Sequence, residues 1–265
     1  MTADRGPRRR TEAAGTPLAG RTVLVTRPTE RAAHLVELLR ERGAGAIVAP
    51  TIAIRPVRSA ELTRALLEVA GGEYAWIVLT SPATVAMLAE RISPIDVRAD
   101  VAAIGDGTAD AFLRLAGRPV DLQPRTFTSK ALARTFPRGD GRVLCARADI
   151  APAGLEDALR ARGWSPTRVD AYRTAFPRTL PRAARDALAA GEIDAITFTS
   201  ASTVRGFVGA AGTIRGAPRV VCIGPVTARE ARAHGLTVHA VADPHTTEGL
   251  VAALERVFTP RRPRS

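Results

Sequence analysis

One local unit, written twice, constrains this chain more than any other feature. The stretch Val220-Val-Cys-Ile-Gly-Pro-Val-Thr-Ala-Arg-Glu-Ala-Arg-Ala-His-Gly235 runs four apolar residues into a Gly-Pro break, where a helical pattern starts at once and stops at Gly235. That is the pattern of a buried strand feeding a helix through a tight turn, with Thr227 in the first helical turn. The same unit occurs earlier as Val101-Ala-Ala-Ile-Gly-Asp-Gly-Thr-Ala-Asp-Ala-Phe112, and one constant offset carries Ile104 to Ile223, Gly105 to Gly224 and Thr108 to Thr227.

The repeat extends well beyond this pair. Gly20-Arg-Thr-Val-Leu-Val-Thr-Arg27 returns as Gly141-Arg-Val-Leu-Cys-Ala-Arg147, one residue shorter, and Gly43 and Gly163 close the helices that follow. Trp76-Ile-Val-Leu-Thr-Ser81 returns as Ala195-Ile-Thr-Phe-Thr-Ser200, and the apolar face Val85, Leu88, Ala89 and Ile92 as Val204, Phe207, Val208 and Ala211. Thr246-Thr-Glu-Gly-Leu250 corresponds to Thr128-Ser-Lys-Ala-Leu132. So long a period marks a duplicated α/β unit and not a solenoid, and alternating βα units imply parallel sheets covered by helices.

In chain order the pattern predicts strands at 21–26, 47–49 and 75–79, an extended run from Thr51, a strand at Ile104 and a short one at Pro119–Asp121. Helices are expected over 60–70, from Pro82 with Ser81 as N-cap, from Thr108, and over Ser129–Phe136. Residues 1–19 and 259–265 are rich in Pro, Gly and Arg and read as disordered basic tails.

At 265 residues and 46% hydrophobic content the chain can hold one large or two modest domains with ample core. Cys145 and Cys222 both sit inside apolar strand patterns and form no CxxC, which suggests a reducing cytoplasm. No apolar h-region follows Arg8, Arg9 and Arg10, so no secretory signal fits, and no apolar run approaches a membrane span. The net charge is +12, and most of it lies between the tails. With 4% aromatic residues and no binding motif, nucleic acid is not the expected partner, whereas a small polyanion would exploit the same field.

The chemistry should sit where strands end and helices begin, because that edge gathers unpaired helix N–H groups and the positive ends of helix dipoles. It carries Thr80, Ser81, Gly105 and Thr108 from one half and Thr199, Ser200, Gly224 and Thr227 from the other. Amides with hydroxyls make a rim for carboxylate or phosphate. Taken singly, each of these residues could cap its helix and no more; repetition in both halves favours two rims for one ligand. Arg27 and Arg147 end matching strands and could contact an anion or make a structural pair.

Other constellations are poor. Gly105-Asp-Gly-Thr-Ala-Asp110 starts like a dinucleotide fingerprint but has Asp at the third glycine, and its second copy also loses the second. There is no P-loop and no GxSxG, Lys130 is the only lysine, and His34, His234, His239 and His245 lack metal spacing. Neither a cofactor nor a metal is expected.

These segments resemble uroporphyrinogen-III synthases. The resemblance rests on Gly20-Arg-Thr-Val-Leu-Val-Thr-Arg-Pro28, Leu79-Thr-Ser-Pro82, Ala103-Ile-Gly105, Asp170-Ala-Tyr-Arg-Thr174, Phe198-Thr-Ser200 and Ile223-Gly-Pro-Val-Thr-Ala228. The resemblance covers residues 20 to 258. It implies two parallel-sheet α/β domains of similar architecture, joined by a two-connector hinge, with the chain crossing between them. The first domain would be 20–51 plus 178–258, the second 58–170, and the connectors 52–57 and 171–177, with the active site in the cleft. It implies cyclisation of linear hydroxymethylbilane, with loss of water and inversion of the last pyrrole ring, in porphyrin biosynthesis. Tyr172, matching the connector tyrosine, would be the proton donor, and the rim residues with Arg27 and Arg147 would bind the substrate's carboxylates. A cytoplasmic monomer is expected, with room for transient contact with the preceding pathway enzyme. The rival from another class is a non-catalytic module of the same fold that binds a tetrapyrrole or another polyanion.

Overall fold

The computed structural model describes residues 15–93 and 97–259. The basic tails, apart from residues 15–19 and Thr259, lie outside the described residues. The chain begins with β1 (Thr22–Val25), a 3₁₀ turn (Thr29–Arg31), α1 (Ala33–Glu41) and β2 (Gly45–Val48). It goes on through β3 (Ala53–Pro56), α2 (Ala60–Ala70), β4 (Trp76–Leu79), α3 (Pro82–Ala89), β5 (Asp100–Ala103), α4 (Asp106–Ala116) and α5 (Ser129–Thr135). β6 (Arg142–Ala148), α6 (Leu155–Arg160) and β7 (Ser165–Ala175) follow, then α7 (Arg182–Ala190), β8 (Ala195–Phe198) and α8 (Ala201–Ala210). β9 (Arg219–Cys222), α9 (Pro225–Ala233), β10 (Val238–Val241) and α10 (Thr247–Phe258) close the described chain.

Two compact units result. One combines the residues up to Ala53 with those from Phe176 onward; the other is the continuous segment Ile54–Ala175. The first holds a five-stranded sheet in the order β10-β9-β8-β1-β2, parallel throughout. β1 therefore lies against β8, with Leu24 opposite Ile196, although one strand opens the chain and the other comes late. The second sheet has the order β3-β7-β6-β4-β5, with parallel pairing from β7 to β5. The fold class is thus α/β with two such sheets, and the chain leaves the first unit and returns to it.

The period-2 alternation of each strand sends side chains to two layers. In the first sheet Leu24, Ile196, Phe198 and Cys222 face one core, while Val23, Val25, Ala195 and Val221 face the other. In the second, Ile77, Leu79, Leu144 and Ala146 point to the α2–α4 side, and Trp76, Val78, Val143 and Cys145 to the α5–α6 side. Strands buried on both faces need the near-continuous apolar runs seen in the sequence.

Three expectations need correction. Leu18 is fully buried with Val23, Leu35 and Leu254, so part of the expected tail belongs to the core. α4 starts at Asp106, because Gly105 is its N-cap, and Thr108 is already its third residue. No strand forms over Pro119–Asp121; Leu122 makes an isolated bridge to Ala102, and the Asp121 carboxylate accepts the Val101 N–H at 2.8 Å. The stretches 52–57 and 171–177, read as extended, carry β3 and the end of β7, and β3 neighbours β7 in the second sheet.

The ends of the first unit's two segments converge on α8. Gly206 packs so tightly against the backbone that a Cβ there would lie 1.8 Å from the Thr51 carbonyl oxygen and 3.2 Å from the Phe176 ring. The Thr51 hydroxyl, itself buried, donates within reach of the carbonyls of Thr203 (2.8 Å) and Thr26 (3.1 Å).

Candidate active site

In the second unit the C-terminal sheet edge gathers Thr80, Ser81, Gly105, Thr108 and Tyr172. Ser81 adopts extended backbone angles and its hydroxyl accepts the Thr84 N–H at 3.1 Å, with Pro82 in the first helical turn. This is the N-cap arrangement anticipated from Ser-Pro. Thr80 is half-buried just before it. α4 is different: its N-cap, Gly105, supplies no side-chain acceptor. The backbone carbonyl of Gly105 takes the amides of Thr108 and Ala109, at 2.9 and 3.0 Å. The amides ahead of them are the orphan donors of a helix start. Gly105 also admits Phe127, whose ring carbon would lie 3.0 Å from a Cβ at that position. Thr108 is buried, 5% exposed, beneath this turn.

Tyr172 reaches the same edge through a register shift. Arg147 pairs with Asp170, but Ala148 pairs with Tyr172, so Ala171 is an extra residue in β7. A bulge of this kind re-aims the side chains beyond it. Both Ala171 and Tyr172 then face the α2–α4 core, and the Tyr172 hydroxyl lies 3.0 Å from Ser81 Oγ. The ring is 8% exposed, which keeps it packed while its polar end reaches the edge. Asp149 secures the backbone on either side: its N–H donates to the Tyr172 carbonyl at 3.1 Å and its carboxylate accepts the Thr174 N–H at 2.9 Å.

Arg147 is not part of this edge. Alternation along β6 sends it with Val143 and Cys145 to the opposite face of the sheet, where it is 1% exposed. Its Nη1 donates to both Glu156 carboxylate oxygens, at 2.9 and 3.1 Å. Of the two roles open to it, structural pairing is the one it fills, and it is withdrawn as a ligand contact.

The first unit presents its own edge. Ser200 caps α8 through the Thr203 N–H at 3.2 Å, in a capping box closed by the Thr203 side chain, and Thr199 is half-buried before it. Gly224 caps α9 with no side-chain acceptor, repeating Gly105, with Pro225 next and Thr227 buried in the first turn. Each unit thus has, in matching places, a serine-capped helix and a glycine-capped helix: α3 and α4 in one, α8 and α9 in the other. Arg27, past the end of β1, is half-buried and donates to Thr247 Oγ1 at 3.3 Å, at the start of α10. Burial, then the nearby Arg31 charge, pulls its pKa below the ordinary arginine value. Its Nε is buried without a hydrogen-bond acceptor among the described residues. A cation so placed is stabilised by an incoming anion.

The thiols offer no nucleophile. Burial, foremost, pushes Cys145 and Cys222 up to about 12, far from thiolate at neutral pH. The histidines are engaged apart from one another: His34 with Glu248 at 2.6 Å, His234 with Glu230 at 3.4 Å, His239 accepting the Val220 N–H, and His245 with the Ala242 carbonyl. Among the described residues no group of three or more His, Cys, Asp or Glu could hold a metal ion, and no helix is long and apolar enough to cross a membrane. Sequence reasoning missed Thr84 and Asp149. The first could have been found from its place three residues after the Ser81 cap; the second depends on a tertiary pairing and left no local signal.

Comparison with known proteins bears on the fold and the family. A solved structure of a mutant uroporphyrinogen III synthase from the extreme thermophile Thermus thermophilus shares the fold, with a TM-score of 0.65 at 23% identity over 90% of this chain and 99% of that one. A putative uroporphyrinogen-III synthase of Methanothermobacter thermautotrophicus is 34% identical over 256 residues, covering 87% of this chain and 96% of that protein. The porphyrin biosynthesis protein HemD of Ruminiclostridium josui is 32% identical over 90% of this chain, which spans 49% of that longer protein. The family model for uroporphyrinogen-III synthase HemD matches residues 33–252, taking in Ser81, Gly105, Tyr172, Ser200 and Gly224 alike. With most of its length matched, and the sheet edges falling within the match, the chain belongs to the uroporphyrinogen-III synthase family.

Proposed function

We propose that the protein cyclises linear hydroxymethylbilane to uroporphyrinogen III, with loss of water and inversion of the last pyrrole ring. The observation that carries this reading is the Tyr172 hydroxyl, held 3.0 Å from Ser81 Oγ at a helix-start edge in a chain of this family. The substrate bears acetate and propionate groups on every pyrrole. Helix-start amides at Gly105 and Gly224, together with the Arg27 guanidinium, are suited to such carboxylates.

Departure of the hydroxyl as water needs a proton. A tyrosine phenol is protonated at neutral pH and can donate one. The C–O bond breaks with its electron pair on oxygen, water leaves, and the remaining cation is spread over the adjacent pyrrole as an azafulvene-like species. The last ring of the same chain attacks that cation through the α-carbon that already carries its bridge to the third ring. The bond from that carbon to the old bridge then breaks, leaving a second azafulvene-like cation on the third ring, and the bridge re-forms at the last ring's free α-carbon as that carbon gives up its proton. Uncatalysed closure proceeds without inversion, so the enzyme must impose geometry as well as speed. Fixed amides and hydroxyls that hold the side-chain carboxylates would do so, and the developing charge is stabilised by dipoles already in place.

The test is the ratio of III to I isomer formed from the linear tetrapyrrole. Wild type should give the III isomer, and Tyr172→Phe should lower its rate by about 10²–10⁴-fold while leaving the melting temperature nearly unchanged. A wild-type protein that binds the tetrapyrrole but forms no III isomer would instead be a binding module.

A further inference from the structure

We propose that Ser81 is a positioning residue for Tyr172. Its hydroxyl donates to the phenol oxygen, so that the phenol proton is not spent on the serine. The inference rests on Tyr172 being the acid, and concerns how that acid is aimed.

Among the described residues Ser81 Oγ has three polar neighbours: the Thr84 N–H at 3.1 Å, Thr84 Oγ1 at 3.1 Å and the Tyr172 hydroxyl at 3.0 Å. A hydroxyl has one proton to give and two lone pairs to fill. The Thr84 amide can only donate, so it takes one lone pair. When the Thr84 hydroxyl donates as well, both lone pairs are filled and the Ser81 proton has Tyr172 Oη as its acceptor. The bonds then run Thr84 to Ser81 to Tyr172. In the opposite direction the phenol donates to Ser81 and Ser81 to Thr84, and the acid's proton is held by the serine.

The Thr84 N–H at the positive end of α3 polarises Ser81 Oγ and makes its O–H a stronger donor to whichever oxygen accepts it. The first direction is the one that serves the chemistry. As Tyr172 Oη–H passes its proton to the departing oxygen, the C–O electrons go to that oxygen and Tyr172 is left as phenolate. The Ser81 proton, already pointing at it, then bonds to full negative charge, where hydrogen bonds are strongest. Ser200, at the equivalent place in the first unit, also caps its helix, but its hydroxyl meets Ser202 Oγ at 2.9 Å where Ser81 meets a phenol.

Ser81→Gly separates the cap from the proton, because glycine caps α4 and α9 in this same chain and costs little there. In the full-length protein it should lower kcat for III-isomer formation by about tenfold with KM little changed. Ser81→Thr, which keeps the hydroxyl, should recover most of that loss. In a Tyr172→Phe background Ser81→Gly should cost almost nothing more, since there is no acid left to aim. Should Ser81→Gly fail to fold, Thr84→Val is read the same way, with a severalfold loss of kcat that also vanishes without Tyr172. A Ser81→Gly loss that persists undiminished in Tyr172→Phe, or that falls on KM alone, overturns the proposal while leaving the acid in place. If Tyr172→Phe itself turns over at the wild-type rate, the acid reading is wrong and the proposal falls with it.

Discussion

The pair Arg147–Glu156 is the most exacting test of the architecture. The two side chains are 1% and 8% exposed, and a single guanidinium nitrogen meets both carboxylate oxygens. Ions taken that far out of water are held by each other, and removing one strands the other. Glu156→Leu should therefore cost about 3–5 kcal/mol, a large share of the roughly 5–15 kcal/mol that holds a domain folded. In a unit running from Ile54 to Ala175 that corresponds to a melting temperature lower by roughly 10–20 °C. The double variant Arg147→Met with Glu156→Leu removes both charges and fills the space with apolar atoms, so most of the loss should return. Scanning calorimetry on wild type, both single variants and the double variant gives the cycle. Single variants that melt like wild type would refute the burial argument. So would a folded Arg147→Met protein whose only defect is a raised KM, which would return Arg147 to the substrate.

Gly206→Ala should destabilise the first unit by at least about 1–3 kcal/mol, because its Cβ would lie 1.8 Å from the Thr51 carbonyl; an unchanged melting curve would contradict that contact. Cys145 and Cys222 should resist alkylation in the native protein at about pH 8 and react only on unfolding, since burial holds both up at about 12; fast native-state labelling would refute this. Glu68 is held below the ordinary carboxylate value chiefly by its hydrogen bond to Arg142, at 2.6 Å. Its contribution to stability is full above the unfolded pKa and is lost as pH falls through the lower folded one, so Arg142→Gln should flatten the acid side of the stability profile; an identical acid limb in both proteins would show that the bond does not matter.

What could be read in the sequence was what local chemistry decides. Ser81-Pro82 announces a helix start in any surroundings, and Gly43 and Gly163 stop helices because each takes a positive φ, 73° and 99°. The position of Tyr172 was legible only by resemblance. What brings its hydroxyl to Ser81 is one extra residue in β7, and an extra residue exists only relative to a partner strand. Arg147 shows the same limit. Its spacing matches Arg27, yet the two diverge because α6 offers Glu156 to one, while the other is left beside Arg31 and the start of α10. Leu18 was lost for a compositional reason: a Pro- and Arg-rich flank hid a single core residue.

The strand order of the first sheet bears on how the chain reaches its fold. β1 and β2 are made early but find their neighbour only when β8 arrives, whereas Ile54–Ala175 is continuous and can complete its own sheet meanwhile. Contacts so distant in sequence are slow to form, and until they do the β1 edge stays open. A finished middle unit shortens that search: its first and last strands, β3 and β7, are neighbours, and Thr51 and Phe176, at the two ends of the insert, both approach Gly206. The insert thus acts as a staple on the loop it occupies. A destabilised middle segment would slow assembly of the outer sheet even where no outer residue had changed, and would leave β1 and β2 open to aggregation during synthesis.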